Sequence, residues 1–216
     1  MGNRKEGAGM KPILFQTDMV KAILESRKTQ TRRIVKPQPA GAHTVLDCED
    51  NIWYFMCGHI DKHALTDWTE AVICPHRVGD ILWVRETWLP TEYGYVYKNA
   101  ENACAGNPKW RPSIHMPKEA ARIFLEVTEV RVERVNDITE EDAIKEGIAR
   151  HGVGNGECYA GGCYNGDFNK SCGVCDVPKR EFSKLWDSIN LKRGYGWETN
   201  PWVWVIEFER TEVSDD

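Results

Sequence analysis

The apolar positions fall into blocks whose spacing switches between helical and extended. In "TDMVKAILESRK", Met19, Val20, Ile23 and Leu24 make a narrow stripe at helical spacing, and Thr17 is a plausible N-cap. That helix is predicted to end near Ser26 or Arg27. The following "TQTRRIV" is threonine-rich and β-branched at its end, which predicts a strand closed by Pro37. "HRVGDILWVRETW" predicts a turn at Gly79-Asp80 and then a strand in which Ile81, Trp83 and Arg85 alternate with Leu82 and Val84. The longest extended pattern is "ARIFLEVTEVRVERV". Its apolar parity changes between Val127 and Val130, which predicts a bend or bulge around Thr128-Glu129. "DITEEDAIKEGI" predicts a short helix with Thr139 and Asp142 as the aspartate form of a capping box and Gly147 after the last turn. Pro178 opens another helix, with Phe182, Leu185, Trp186 and Ile189 on one face. "NPWVWVIEFER" ends the pattern as an apolar strand whose Trp202 and Trp204 share a face, as packing residues do.

Three segments lack a clean period: 40–75, 90–118 and the glycine- and cysteine-rich 150–176. They are expected to be loop-rich insertions, the first with a hairpin, in one domain over 10–216. Residues 1–9 are polar and are expected to be a disordered extension or tag. Strands with few short helices between them suggest an α+β fold, a small mixed β-barrel decorated by loops.

Composition narrows the setting. A chain of 216 residues that is 41% hydrophobic can bury one real core. No apolar run approaches the ~20 residues of a membrane span, and the opening "MGNRKEGAGMKPILF" lacks the apolar stretch of a secretory signal. The expectation is a cytoplasmic protein with no membrane partner. Net charge is −5, which argues against coating DNA along its length. Between Lys21 and Lys36, however, six basic residues (Lys21, Arg27, Lys28, Arg32, Arg33, Lys36) face one acid, Glu25, a local charge of +5. Screening over ~8–10 Å lets such a patch hold a phosphate whatever the net charge. Arg27, Arg32 and Arg33 are candidate phosphate or base-edge contacts; the plainer alternative is a solvated strand edge. Arg85 and Trp88, with Glu86 between them, fit a base-stacking cleft or a rim salt bridge with a packed tryptophan.

Eight cysteines in a chain without a secretion signal point to metal binding or thiols before disulfides. Cys158-x4-Cys163-x8-Cys172-x2-Cys175 suits a tetrahedral structural zinc, which would order a segment with little core of its own. Thiols in an open loop are the competing reading.

Five pieces in this order, "MKPILF", "AILESRKTQTRR", "GDILWVRETW", "ITEEDAIKEGI" and "NPWVWVIEFER", together resemble the ASCH domain of the PUA-like superfamily. The larger form, with long insertions and a Trp-rich strand, is similar to bacteriophage and prophage members. The resemblance leaves out the cysteine-rich insert. It implies a small β-barrel with a cleft that acts on RNA or nucleotides. The best-defined activity in the family is amidohydrolysis of acetylated cytidine. The family's motif lysine and threonine fall on Lys28 and Thr31, and its glutamate, in the short helix after the long strand, on Glu146. Other members are ribonucleases or have no assigned activity.

The chemistry is coherent. Amide hydrolysis needs a nucleophile, a base and a stabilised oxyanion. Thr31 supplies a hydroxyl, a weak nucleophile when bare; Lys28 can depress its proton affinity electrostatically or, if desolvated and neutral, take the proton itself. Positions 28 and 31 of one regular strand face opposite sides, so they converge only if the helix-to-strand turn falls between them. Glu146, in the last turn of its helix, is disfavoured by the macrodipole by ~0.3–1 kcal/mol, which would make it a better base; a solvated helix end is the alternative. The expectation is a hydrolase of a modified (acylated) pyrimidine nucleoside or nucleotide, needing no catalytic cofactor. A non-catalytic RNA- or modified-base-binding module and a ribonuclease are the competing readings.

Overall fold

A computed structural model describes residues 10–39, 41–48, 52–57, 68–100, 108–148 and 177–213. In chain order these form β1 (Met10–Leu14), α1 (Thr17–Leu24), β2 (Gln30–Ile34), β3 (Ala42–Cys48), β4 (Ile52–Cys57), β5 (Trp68–Ile73) and β6 (Ile81–Arg85). There follow β7 (Trp88–Thr91), β8 (Gly94–Tyr97), β9 (Phe124–Arg134), α2 (Glu140–Lys145), α3 (Val177–Asn190) and β10 (Trp202–Thr211). A five-stranded sheet runs β1-β6-β9-β10-β2, with β1 parallel to β6 and the other pairs antiparallel. A three-stranded sheet, β3-β4-β5, and a hairpin, β7-β8, complete the α+β architecture. No closed barrel is found among the described residues. The outer strands β1 and β2 are tied by a side chain, Arg33 Nη2 donating to the Leu14 carbonyl at 2.9 Å. No described helix is long and apolar enough to cross a membrane.

The five-stranded sheet buries both faces. Leu82, Leu125, Val127, Trp204, Ile206 and Phe208 pack against α1 through Val20 and Ile23, and against the three-stranded sheet through Trp53, Phe55 and Val72. Trp53 meets Trp204 edge-on at 5.8 Å and Phe55 meets Trp202 at 5.5 Å, so the two β10 tryptophans are core, as their spacing predicts. On the opposite face Val203 and Val205 meet Val135, Ile138 and Ala143, with Phe182 and Trp186 of α3 above them. Burial on both sides is why β10 reads as continuously apolar.

The parity change in β9 is a bulge. Glu207 lies opposite Glu129 and Phe208 opposite Val127, which leaves Thr128 without a partner. Leu125 and Val127 before it, and Val130 and Val132 after it, therefore serve the same core. The bulge also aligns Glu129, Arg131 and Glu133 on the face toward α2.

Several expectations are corrected. Segment 40–75 is, where described, a three-stranded antiparallel meander and not a loop with one hairpin. Its alternation, Trp53 and Phe55 inward, is hidden because Tyr54 and Met56 on the other face are apolar too. Segment 90–118 contains most of the β7-β8 hairpin, turning at Gly94 with φ +121°. The N-cap of α1 is Gln16, without a side-chain bond; Thr17 is already helical. Residues 1–9 and 149–176 lie outside the described residues, and with them Cys158, Cys163, Cys172 and Cys175.

Candidate functional site

Two chain reversals build the site. After α1, Ser26 adopts φ +57°, and the N–H groups of Arg27 and Lys28 both return to the Ala22 carbonyl, at 2.8 and 3.0 Å. This turns Lys28 inward just before β2; the turn precedes Lys28 and does not fall between Lys28 and Thr31 as expected, because the left-handed residue that ends the helix is Ser26. At α2, Thr139 Oγ1 accepts from the Asp142 N–H at 3.1 Å, the capping contact its spacing predicts. Glu146 caps the other end, followed by Gly147 at φ +96°. Thr29 N–H donates to the Lys145 carbonyl at 2.9 Å, and Lys28 and Glu146 form a single antiparallel bridge.

Lys28 and Glu146, 118 residues apart, thus meet side by side: Nζ to Oε2 is 2.7 Å, with the side chains 0% and 5% exposed. Nζ also donates to the carbonyls of Gln30 and Glu146, each at 2.8 Å. Burial pulls the Lys28 ammonium below the ordinary lysine range; Glu146 opposes the shift, and Arg33 and Arg32 add to it. The Phe15 ring closes the apolar side, 5.6 Å from Lys28 Nζ and 5.2 Å from the Arg33 guanidinium.

Strand alternation then separates the neighbours on β2. Gln30, Arg32 and Ile34 face α2 and α3, and Thr31 and Arg33 face the side of Phe15. Thr31 is 2% exposed and paired in register with Ile206. No hydrogen-bond partner of its hydroxyl is found among the described residues. Lys28, whose ammonium lies beside Phe15, is placed at the end of the strand on which Thr31 sits.

Arg32 departs from its expected role. Its side chain is fully buried and bound to protein carboxylates: Nη2 to Glu133 at 2.9 Å and Asp142 at 3.3 Å, Nη1 to Glu146 Oε1 at 3.3 Å. It anchors Glu146 and offers no open face to a phosphate. The Gln30 amide is best oriented with its nitrogen toward Asp142 and Glu207 and its oxygen toward Arg32 Nη1. Arg131 adds bonds to Glu133 at 2.7 Å and Glu207 at 2.6 Å. Burial works against its charge, but those two carboxylates more than offset this and hold its guanidinium above its ordinary value. Glu146 is consequently paired on both oxygens, where the sequence suggested a bare carboxylate at a helix end.

The other predicted contacts disperse. Arg27 is exposed, gripping Glu25 and donating to the Gly147 carbonyl at 2.9 Å. Arg33 ties the outer strands. Arg85 donates to the Met116 carbonyl at 3.0 Å and lies over Trp83, not beside Glu86. Glu86 is buried and bidentate with Arg122, at 2.8 and 2.9 Å. Trp88 is 4% exposed, packed with Met116 and Ala120, so its ring is not an open stacking platform. Among the described residues no group of three histidine, cysteine, aspartate or glutamate side chains could hold a metal ion.

The residues missed by sequence reasoning are Phe15, Glu133 and Asp142, with Arg131 and Glu207 behind them. One signal was present: Glu129, Arg131 and Glu133 alternate in charge at period two after the bulge, the pattern of a strand face that pairs ions.

Gly147 holds the two reversals together. A Cβ there would lie 3.0 Å from Ala22 Cβ and 3.2 Å from Lys28 Cβ, on a backbone that L-residues rarely adopt. Gly147→Ala is expected to destabilise the fold by about 2 kcal/mol, read as a lower urea midpoint at unchanged slope.

Compared with protein-family models, with curated proteins and with solved structures, the chain has no match.

Proposed function

We propose that the protein is an ASCH-type, PUA-like hydrolase of an acylated pyrimidine nucleoside or nucleotide, working through Lys28, Thr31 and Glu146. The observation that carries the reading is the buried Lys28–Glu146 pair at 2.7 Å, assembled by two separate chain reversals next to β2. The sheet curl implied by the Arg33–Leu14 tie between outer strands supports a PUA-like barrel.

In this reading Lys28, whose charge is disfavoured by burial, passes a proton to Glu146 over the 2.7 Å contact. Neutral Nζ then accepts the Thr31 hydroxyl proton as the oxygen attacks the acyl carbon. The acyl–nitrogen bond breaks, the exocyclic amine leaves with a proton from Lys28, and an acyl ester remains on Thr31. Water, losing its proton to the same pair, hydrolyses the ester and restores the threonine. The Phe15 ring keeps one side of the site dry, which strengthens each of these contacts.

One observation favours a second reading. All three Nζ protons of Lys28 are already donated within the protein. On that reading the pair is a fold anchor and the protein binds a modified base without turnover.

Acetate release from N4-acetylcytidine separates the two. Turnover that is lost in Lys28→Ala and Glu146→Ala supports the hydrolase, and no turnover with folded protein removes it. A parallel incubation with mixed RNA tests strand cleavage. The zinc assignment to Cys158, Cys163, Cys172 and Cys175 stays a proposal, tested by metal analysis of the purified protein.

A further inference from the structure

The arginines expected to grip an anion are engaged by groups of the protein itself, and a second set of exposed cationic and aromatic groups lies on another part of the chain. On the β7-β8 hairpin Tyr93 is 97% exposed and Tyr95 40%. Tyr95 meets the Trp88 ring edge-on at 5.6 Å. Arg111 joins the hairpin through a backbone bridge to Trp88, at 2.9 and 3.3 Å, and lays its guanidinium 5.3 Å from the centre of the same ring. Trp88 is thus a buried support that holds an exposed tyrosine and an exposed arginine. Lys98 follows β8 and Lys109 precedes Arg111, both exposed.

Charge sets this excursion apart. From 85 to 122 the chain carries six basic groups (Arg85, Lys98, Lys109, Arg111, Lys118, Arg122) and four acids (Glu86, Glu92, Glu101, Glu119), a surplus of two in a chain of net charge −5. Glu86 and Arg122 neutralise each other in their bidentate pair. The exposed remainder is cationic and interleaved with tyrosines.

We infer that the β7-β8 hairpin, with Tyr93, Tyr95, Arg111, Lys98 and Lys109, is a docking surface for single-stranded nucleic acid. Aromatic faces beside a guanidinium take unstacked bases of any sequence, and the lysines follow the backbone phosphates. A duplex keeps its bases stacked and would use only the charges; an acidic peptide would leave the tyrosine faces without a planar partner. The surface is independent of the Lys28–Glu146 chemistry. It does adjoin that site: Asn99 Nδ2 donates to the Thr17 carbonyl at 2.6 Å, and the Phe15 N–H donates to the Arg85 carbonyl at 3.4 Å.

Fluorescence anisotropy with labelled mixed-sequence RNA and DNA single strands of about 15 nucleotides, and a duplex of the same length, tests this at about 50 mM salt. Arg111→Glu and Tyr93→Ala/Tyr95→Ala are each expected to weaken single-strand binding about tenfold or more. Arg111→Glu should also flatten the salt dependence by about 0.7 or more in log–log slope. Lys184→Glu on α3, equally a charge reversal at an exposed lysine, should change neither. Binding of RNA alone, DNA alone or both identifies the strand. The inference is overturned by absence of binding, by equal losses in Lys184→Glu and Arg111→Glu, or by tighter binding of the duplex. Tyr93→Ala alone, at the near-fully exposed turn, guards against misfolding: it should retain the wild-type melting temperature and still weaken binding.

Discussion

Glu146→Gln is expected to lower the unfolding free energy by about 3–5 kcal/mol, more than Lys28→Met does. The asymmetry follows from the partners left behind. Without Lys28, Glu146 keeps Arg32 on its other oxygen at 3.3 Å. Without the Glu146 charge, a fully buried ammonium is left with uncharged acceptors, and Arg32 and Arg33 repel it. A defined pH dependence accompanies this. Burial lowers the Lys28 pKa in the folded state below its unfolded value of 10.5. Between the two values the unfolded chain holds a proton that the folded chain has released, so stability rises with pH through that window. Removing the Glu146 charge lowers the folded value further and widens the window toward neutral pH. The Glu146→Gln deficit should therefore shrink as pH is raised toward 10, measured by urea unfolding at a series of pH values. A deficit independent of pH would contradict the buried-charge account.

Arg32→Met is expected to cost about 3 kcal/mol, whereas Arg33→Met, one residue on, costs about 1 kcal/mol or less. Arg32 is fully buried and divides its two terminal nitrogens among Glu133, Asp142 and Glu146. Its loss frees carboxylates that face one another across α2 and β9. Arg33 lies on the other face, half-buried over Phe15, with two carbonyls as acceptors and no carboxylate bound among the described residues. Arg32→Lys should recover little, because one ammonium cannot span carboxylates that the two guanidinium nitrogens reach separately. Thermal melts of the three variants check this; equal losses for Arg32→Met and Arg33→Met would show that the ion network does not anchor α2.

The same two arginines show how far the sequence carries. That adjacent strand residues face opposite ways is legible at once. Which face is buried is not, because the carboxylates that claim Arg32 come from positions 133, 142 and 146, more than a hundred residues away. The β9 bulge was legible because an amphipathic strand keeps one core face across a parity change only by inserting an extra residue. The capping box and Gly147 were legible for similarly local reasons. The strands of 40–75 were not, since apolar residues on both faces erase the period. Trp88 failed as a stacking residue because its neighbours Met116 and Ala120 arrive from a segment with no period at all. The pairing of Lys28 with Glu146 came from the family resemblance alone; no feature of either segment by itself points to the other.

Acetate release from N4-acetylcytidine by Thr31→Val tests the central claim most directly. Valine keeps the branched shape that β2 needs and removes only the hydroxyl, for which no partner is found among the described residues, while Lys28, Glu146 and their ion pair are untouched. The account predicts wild-type turnover, an unchanged melting temperature in the variant and a fall in kcat of about 100-fold or more. A folded Thr31→Val protein that releases acetate at the wild-type rate, or a wild-type protein that releases none, would contradict it.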